Sequence, residues 1–264
     1  MKFRKNTMQI SERELITLTS DLDDMHHDTL PHMHEAIDAW SEVNNLLRSG
    51  VDKLGETASS RRTFLIGVGA AAGGLALAAC GGSKKKNSGS GGDSGLSGDL
   101  AIAALAASLE NLAVQTYQAG LDAAGKGSLG AVPAAVATFV KTAQSQHKDH
   151  AAAWNSILTK AGKKAITGVD TTVKDAVVTP GFAQVKDVPG LAKFALGLEN
   201  VAAATYLNGI QNAIKDKGAI QIAASIQPVE MQHAAILNFV LGSYPIPDSF
   251  AKTDGARGPD DKIG

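Results

Sequence analysis

The strongest constraint on the fold is a helical motif that occurs twice in the second part of the chain. Leu109 to Tyr117 reads LENLAVQTY, and 89 residues later Leu198 to Tyr206 reads LENVAAATY. A second pair has a similar offset of 86 residues, with QSQH at 144–147 and EMQH at 230–233. Residues three and four apart share one helix face. The repeat therefore predicts two similar helical hairpins packed about a pseudo-twofold axis, with equivalent side chains facing each other.

The apolar periodicity extends each motif into a full helix. We expect four helices, at about 99–124, 132–161, 189–215 and 217–241. The links within each hairpin are short, whereas the middle connection, 162–188, has roughly 27 residues with turn residues and short β-like pieces. This arrangement predicts an all-α four-helix bundle with a long crossover between helices two and three, spanning 99–242. The proline-containing tail, 243–264, is expected to be irregular.

In the second part of the chain, glutamate and histidine are concentrated in the repeated motifs, whereas aspartate supplies the acidic residues elsewhere in it. From Cys80 onward the chain has only three glutamates, Glu110, Glu199 and Glu230, and all lie in the repeat. Because glutamate is a good helix former, a bundle of this size normally carries more of it on its surface. His147 and His233 also lie in the repeat. This pattern indicates a dedicated site rather than a solvated surface.

The spacing of these residues matches a carboxylate–histidine metal centre. Such bundles take one glutamate from each of two helices and a Glu-x-x-His pair from each of the other two. The repeat supplies five of these six ligands, and carboxylate oxygens with imidazole nitrogens suit iron or manganese. The five predicted ligands are Glu110, His147, Glu199, Glu230 and His233.

Residues 97–242 resemble the ferritin-like superfamily, specifically the bacterial exported ferritin-like domain proteins. The resemblance is carried by a Leu-Glu-x-x-Ala-x-x-x-Tyr helix followed by a Glu-x-x-His helix. It implies a ferritin-like fold and a di-iron or di-manganese site, with oxidase, ferroxidase or storage activity. In this scheme Glu110 and His147 are terminal ligands of one ion, Glu199 and His233 serve a second, and Glu230 bridges them.

The chain departs from this pattern at one ligand, because Gln144 stands where the family has a glutamate. A neutral amide cannot bridge two cations as a carboxylate does. One ion, or an asymmetric pair, is therefore expected. His150, three residues after His147, is a further candidate ligand, whereas Asp149 points away. Tyr117 and Tyr206 each lie seven residues after a motif glutamate, so we expect them to pack beside the site and hydrogen bond to its ligands; participation in redox chemistry is the alternative role.

A second interpretation remains open for the same residues. The buried polar side chains can form a metal-free hydrogen-bonded network, although no lysine or arginine lies in the motifs to pair with the carboxylates. The protein would then be a non-enzymatic cell-surface bundle. Relatives linked to desiccation suggest a stress-protective role for such a protein.

Residues 60–80 resemble a twin-arginine export signal that ends in a lipobox. Arg61 and Arg62 precede an apolar stretch, 66–79, which is shorter than the ~20 residues of a comfortable membrane span. The stretch ends in Leu-Ala-Ala-Cys80, the only cysteine of the chain. The resemblance implies export by the Tat translocase and lipid attachment at Cys80. A glycine- and serine-rich tether, 81–98, follows. The alternative is an ordinary buried or membrane-anchoring helix.

The leader, 1–59, is long for a segment ahead of an export signal, and it is expected to be helical from about 12 to 54. It holds four of the seven histidines, for which metal binding is one interpretation: His26, His27, His32 and His34. If the lipobox is cut, this segment is separated from the mature domain; a misassigned start codon is an alternative explanation. The formal net charge of −1 gives no indication of nucleic-acid binding. We therefore expect a metal-binding protein anchored to the outer face of the cell membrane.

Overall fold

The computed structural model describes residues 11–57, 96, 98–248 and 250–257, with the side chains of 39–40 and 43–57 left out. The described part is all-α, without a strand. A long N-terminal helix, α1 (Glu12–Thr57), precedes four bundle helices. These are α2 (Asp99–Gly125), α3 (Ala134–Lys160), α4 (Val188–Asn208) and α5 (Lys217–Val240). A π-helical turn, Gly209–Ala213, extends α4. The predicted all-α bundle of two hairpins with a crossover is confirmed.

Helix starts follow the local sequence. The Asp187 carboxylate accepts from the backbone N–H of Gly190 at 2.7 Å, and Asp216 accepts from Ala219 at 3.0 Å. Both are N-cap contacts that satisfy otherwise unpaired N–H groups. Asp99, at the start of α2, accepts from the backbone N–H of Asp216 at 2.6 Å. This bond joins the start of α2 to the link between α4 and α5.

The crossover between α3 and α4 is helical where short β-like pieces were expected, so that expectation was wrong. It contains the helical turns Thr171–Val173 and Thr179–Phe182, with the π-helical segment Lys174–Val178 between them. The buried Asp170 caps the first turn by accepting from Val173 N at 2.9 Å. The cap, and the ion pair of Asp170 with Arg257 at 3.1 Å, favour helix over the β propensity of this valine-rich stretch.

The helix α1 packs against α3 and α5. Met33, Ala36 and Ile37 join an apolar cluster with Trp154, and Leu15 and Leu22 join a second cluster with residues such as Phe139 and Leu237. The sequence predicts that α1 is helical but carries no signal that it packs on the bundle. Along α3 the first cluster begins at Ala153 and the second ends at Ala143. The polar residues between them form the site.

Candidate metal centre

Six buried side chains from four helices meet in the middle of the bundle. The helix α2 contributes Glu110, α3 contributes two histidines, α4 contributes one glutamate, and α5 contributes a glutamate and a histidine. None is more than 4% exposed. Their donor atoms form two overlapping groups, and within each group all atoms lie within 4.8 Å of one another. The six residues, called the centre below, are Glu110, His147, His150, Glu199, Glu230 and His233.

The first group contains Glu110, His147, His150 and Glu230. His147 Nδ1 lies 2.7 Å from Glu110 Oε2. His150 Nδ1 lies 3.0 Å from Glu230 Oε1 and 3.6 Å from Glu110 Oε2. The two histidines are one helical turn apart on α3, so both rings face the same two carboxylates.

The second group contains His147, Glu199, Glu230 and His233. His233 Nδ1 lies 3.2 Å from Glu199 Oε2 and 3.5 Å from Glu230 Oε2. His147 Nε2 lies 3.3 Å from Glu199 Oε1. Glu230 and His147 belong to both groups. Because each oxygen of Glu230 faces a different group, its carboxylate has the position of a bridge.

Glu230 is the residue that most needs a cation. It is completely buried, and among the described residues neither of its oxygens has a hydrogen-bond partner. The histidine nitrogens around it are close but not aligned for hydrogen bonds. A buried carboxylate without donors is costly unless a positive charge lies against it. Together with Glu230, the centre has three carboxylates and three imidazoles, a ligand set that fits a hard or borderline divalent metal.

Each tyrosine of the repeat contacts the glutamate of the opposite hairpin. The Tyr117 hydroxyl donates to Glu199 Oε1, and the Tyr206 hydroxyl donates to Glu110 Oε1. Tyr206 also accepts from the indole N–H of Trp154 at 2.9 Å. Such contacts fix the orientation of each glutamate, and the second oxygen of each faces a histidine of the centre. Burial of both rings, and next the negative charges of the glutamates, raise the pKa of each tyrosine well above its ordinary value.

Gln144 makes its side-chain hydrogen bonds away from the six residues of the centre. Its amide nitrogen donates to the Val114 carbonyl at 3.1 Å and to the Gln118 side chain at 3.0 Å. Its oxygen lies 3.5 Å from Lys148 Nζ. The structure therefore brings His150, and not Gln144, to the centre as the sixth side chain.

Gln146 is a site residue that the sequence did not single out. It is completely buried, and its side-chain oxygen accepts from His233 Nε2 at 2.8 Å. A proton on Nε2 leaves Nδ1 of a neutral His233 free to face the glutamates. The Gln146 amide nitrogen donates to the Leu22 carbonyl of α1 at 3.4 Å. Gln146 lies in the QSQH motif but points to a different side from Gln144, and spacing alone does not show which glutamine is used.

The charges of the centre balance one another. Burial raises the pKa of Glu110, but the charge of His150 and the hydrogen bond with His147 outweigh burial and lower it to about 2. Burial lowers the pKa of His150, but Glu110 and Glu230 raise it to about 9. The two other histidines of the centre also have raised pKa values, because their glutamate neighbours outweigh burial. Without a metal, imidazolium groups therefore supply the cations that no lysine or arginine of the motifs provides.

Two apolar cavities reach the centre between α2 and α4. One, of about 110 Å³, touches His147 and Glu199 and continues along apolar side chains toward the crossover. The other, of about 70 Å³, touches His147 and Glu110. Leu109, Ala202 and Arg257 line both cavities. The cavities are almost wholly apolar, and the larger one is also lined by Leu15 of α1 and Leu237 of α5.

The predicted export residues Arg61, Arg62 and Cys80 lie outside the described residues, so export and lipidation stay predictions. Within the described part of the chain, no helix combines the length and apolar character that a membrane crossing requires.

Comparison with known proteins identifies a family. A family model described as a ferritin-like domain matches residues 98–243, which is more than half of the chain and contains every residue of the centre. No curated protein and no solved structure matches the chain.

Proposed function

The chain belongs to the ferritin-like domain family, and on that premise we propose that it binds iron or manganese at the centre and oxidises or sequesters the metal. The observation that carries the proposal is Glu230, a completely buried carboxylate without a hydrogen-bond donor, placed between two groups of ligand atoms. Carboxylates and imidazoles together favour iron or manganese over softer metals.

The ligand set favours one tightly held ion, or two ions held unequally. In the proposed arrangement Glu110, His147 and His150 serve one ion, Glu199 and His233 serve the other, and Glu230 bridges. His150 supplies a nitrogen where the family has a second bridging carboxylate, because Gln144 is hydrogen bonded elsewhere. Three carboxylates offset only part of the charge of two divalent ions, so the second ion is expected to bind more weakly.

We propose further that the protein is exported by the Tat translocase and anchored to the outer face of the membrane. Arg61 and Arg62, the apolar stretch and Cys80 stand in the order that such a lipoprotein signal requires. In cells given a labelled fatty acid, the wild-type chain should carry the label in the membrane fraction, and the Cys80→Ser variant should not. Label in both variants, or in neither, would contradict lipidation at this cysteine.

A second candidate function is a metal-free, non-enzymatic bundle at the cell surface. The observation that favours it is the charge balance of the centre, where three buried histidines face three buried glutamates. With the histidines protonated, such a network is neutral and does not require a metal. Metal content decides between the two candidates.

The experiment is metal analysis by mass spectrometry on the full chain, purified from iron- and manganese-supplemented medium. Glu230→Gln removes the bridging charge with little change in shape. Asp122→Asn is the matched control, since it makes the same carboxylate-to-amide change at an exposed position of α2. We expect about one ion per wild-type and Asp122→Asn chain and a clear loss in Glu230→Gln. Equal, low metal content in all three proteins, with normal helix content, would leave the metal-free bundle.

Oxidation and sequestration are then separated on the loaded protein. If Fe²⁺ added to it in air is converted to Fe³⁺ faster than in the Glu230→Gln variant, the centre oxidises iron. If the loaded protein retains its metal against a chelator without such acceleration, it sequesters the metal.

A further inference from the structure

The centre is closed to solvent, so a metal ion needs a route into it. A bare or partly hydrated divalent cation is strongly disfavoured in apolar surroundings. The two cavities between α2 and α4 are almost wholly apolar, and the charged side chain that lines both outside the centre is the cationic Arg257. These cavities suit apolar molecules rather than cations. A polar approach is found where α1 meets α3, at Asp149 and His26.

Asp149 and His26 form a polar pair at the junction of α1 and α3. Asp149 is the outer member, with 38% of its side chain exposed, and its Oδ2 lies 3.3 Å from His26 Nε2. His26 is the inner member, with only 5% of the residue exposed. The His26 ring lies 5.4 Å, centroid to centroid, from the ring of His150. His150 in turn contacts Glu230 at 3.0 Å.

His26 has a free ligand atom within this pair. Although Nε2 is close to Asp149, it is not aligned for a hydrogen bond, and it has no other hydrogen-bond partner among the described residues. Both ring nitrogens of His150 are likewise buried without a hydrogen-bond partner. An imidazole nitrogen without a hydrogen-bond partner is available as a metal ligand.

We propose that Asp149 and His26 are the entry site through which a divalent cation reaches the centre. The cation first binds the exposed Asp149 carboxylate and His26 Nε2, then passes to His150 and on to Glu230. Each step exchanges one ligand for the next, so the ion does not cross an apolar region without a ligand. The proposal rests on the proposed metal binding and adds a residue of α1 to it.

The entry site gives α1 a role in metal loading before signal-peptide cleavage at Cys80. The helix closes the α3 and α5 side of the bundle and supplies one of the two entry residues. If the lipobox is processed as proposed, α1 is separated from the bundle, and the entry site loses His26. Metal loading by this route therefore precedes processing.

The simpler role for Asp149 and His26 is to hold α1 on the bundle, and the rate of loading separates the two roles. Stopped-flow absorption follows Co²⁺, whose visible bands report entry into a protein site, on the metal-free full chain. The variants are His26→Gln and Asp149→Asn. The matched control is His27→Gln, since His27 is the next residue of α1, has a side chain that is 61% exposed, and pairs with Asp23 of its own helix.

We expect His26→Gln and Asp149→Asn to load about tenfold more slowly than the wild type, the lower end of what a local charge and ligand contribute to cation capture. His27→Gln should load at the wild-type rate. The final Co²⁺ absorption should match the wild type in every variant, because the ligands of the centre are intact. Urea unfolding of each metal-free variant reports whether α1 remains docked.

Wild-type loading rates in both entry variants would overturn the entry site and leave metal binding intact. Slow loading that appears only together with a large loss of stability in both variants would also overturn it, in favour of the anchoring role. Absence of Co²⁺ absorption in the wild type would instead overturn the proposed metal binding, and the entry site with it. Asp149→Asn keeps the test decisive if His26→Gln fails to fold, because Asp149 is at the surface.

Discussion

Raising the pH should weaken the metal-free fold and strengthen metal binding over the same range. The reason is His150, whose folded pKa of about 9 exceeds its ordinary value of 6.5. Because the folded state binds the proton more tightly than the unfolded state, the resulting stability is fully present below about pH 6.5 and is lost as the pH rises through about 9. The completely buried position of His150 means that solvent screening is small.

The size of the stability loss follows from the difference between the folded and unfolded pKa values of His150. A difference of about 2.5 pKa units corresponds to roughly 3 kcal/mol. In chelator, the free energy of unfolding by urea should therefore fall by a few kcal/mol between pH 6 and 9. A metal must displace the His150 proton, so the apparent metal affinity should rise about tenfold per pH unit for each proton released.

The assay pairs urea unfolding at several pH values with calorimetric metal titration in two buffers of different ionisation enthalpy. The buffers reveal the number of protons released. His150→Gln should weaken both dependences and leave the contribution of the two other histidines of the centre, whereas His32→Gln, a change at a side chain that is 78% exposed on α1, should preserve them in full. A metal-free stability that does not fall above pH 7, or a binding reaction that releases no proton, would refute the assignment of a buried imidazolium network to the centre.

Three further predictions concern individual contacts. Tyr206→Phe should destabilise the metal-free protein by about 1 kcal/mol more than Tyr117→Phe, because it also leaves a buried indole N–H without its acceptor; equal losses in urea unfolding would contradict this. Gln144→Glu should not raise the number of bound metal ions, because the new carboxylate lies near Lys148; a gain of one ion in mass spectrometry would show that the side chain turns inward. Ile37→Ala should cost about 2–5 kcal/mol, since Ile37 is 2% exposed, and an unchanged urea midpoint would show that α1 does not pack on the bundle.

Much of the centre could be predicted because helical spacing determines which residues share a face. Glu110 and Glu199 occupy equivalent positions of one repeated motif, and His147 and His233 occupy equivalent positions of the other. Two equivalent hairpins in contact must bring such residues together. The structure places all four within the two donor groups. Their role as metal ligands stays a prediction that metal analysis tests.

The choice of the sixth side chain could not be predicted in the same way. Gln144 and His150 lie one turn before and one turn after His147, so spacing allows either to face the centre. Their neighbours determine which side chain faces the centre, since Gln144 hydrogen bonds to α2 and His150 contacts the carboxylate of Glu230. Side-chain direction depends on such contacts, which the sequence pattern does not contain.

By itself, the sequence determined that this protein contains a bundle of two repeated helical hairpins and that the three glutamates after Cys80 meet in its interior. Both follow from periodicity and from the rarity of one residue type, which are local properties of the chain. Only the tertiary structure decided that α1 packs on α3 and α5, that Gln146 holds His233, and that His26 lies behind His150. The residues that form the contacts of α1 are more than 100 positions apart, as Leu22 and Gln146 are. Such contacts depend on the complementary shape of two folded surfaces, and a linear pattern carries no record of that shape.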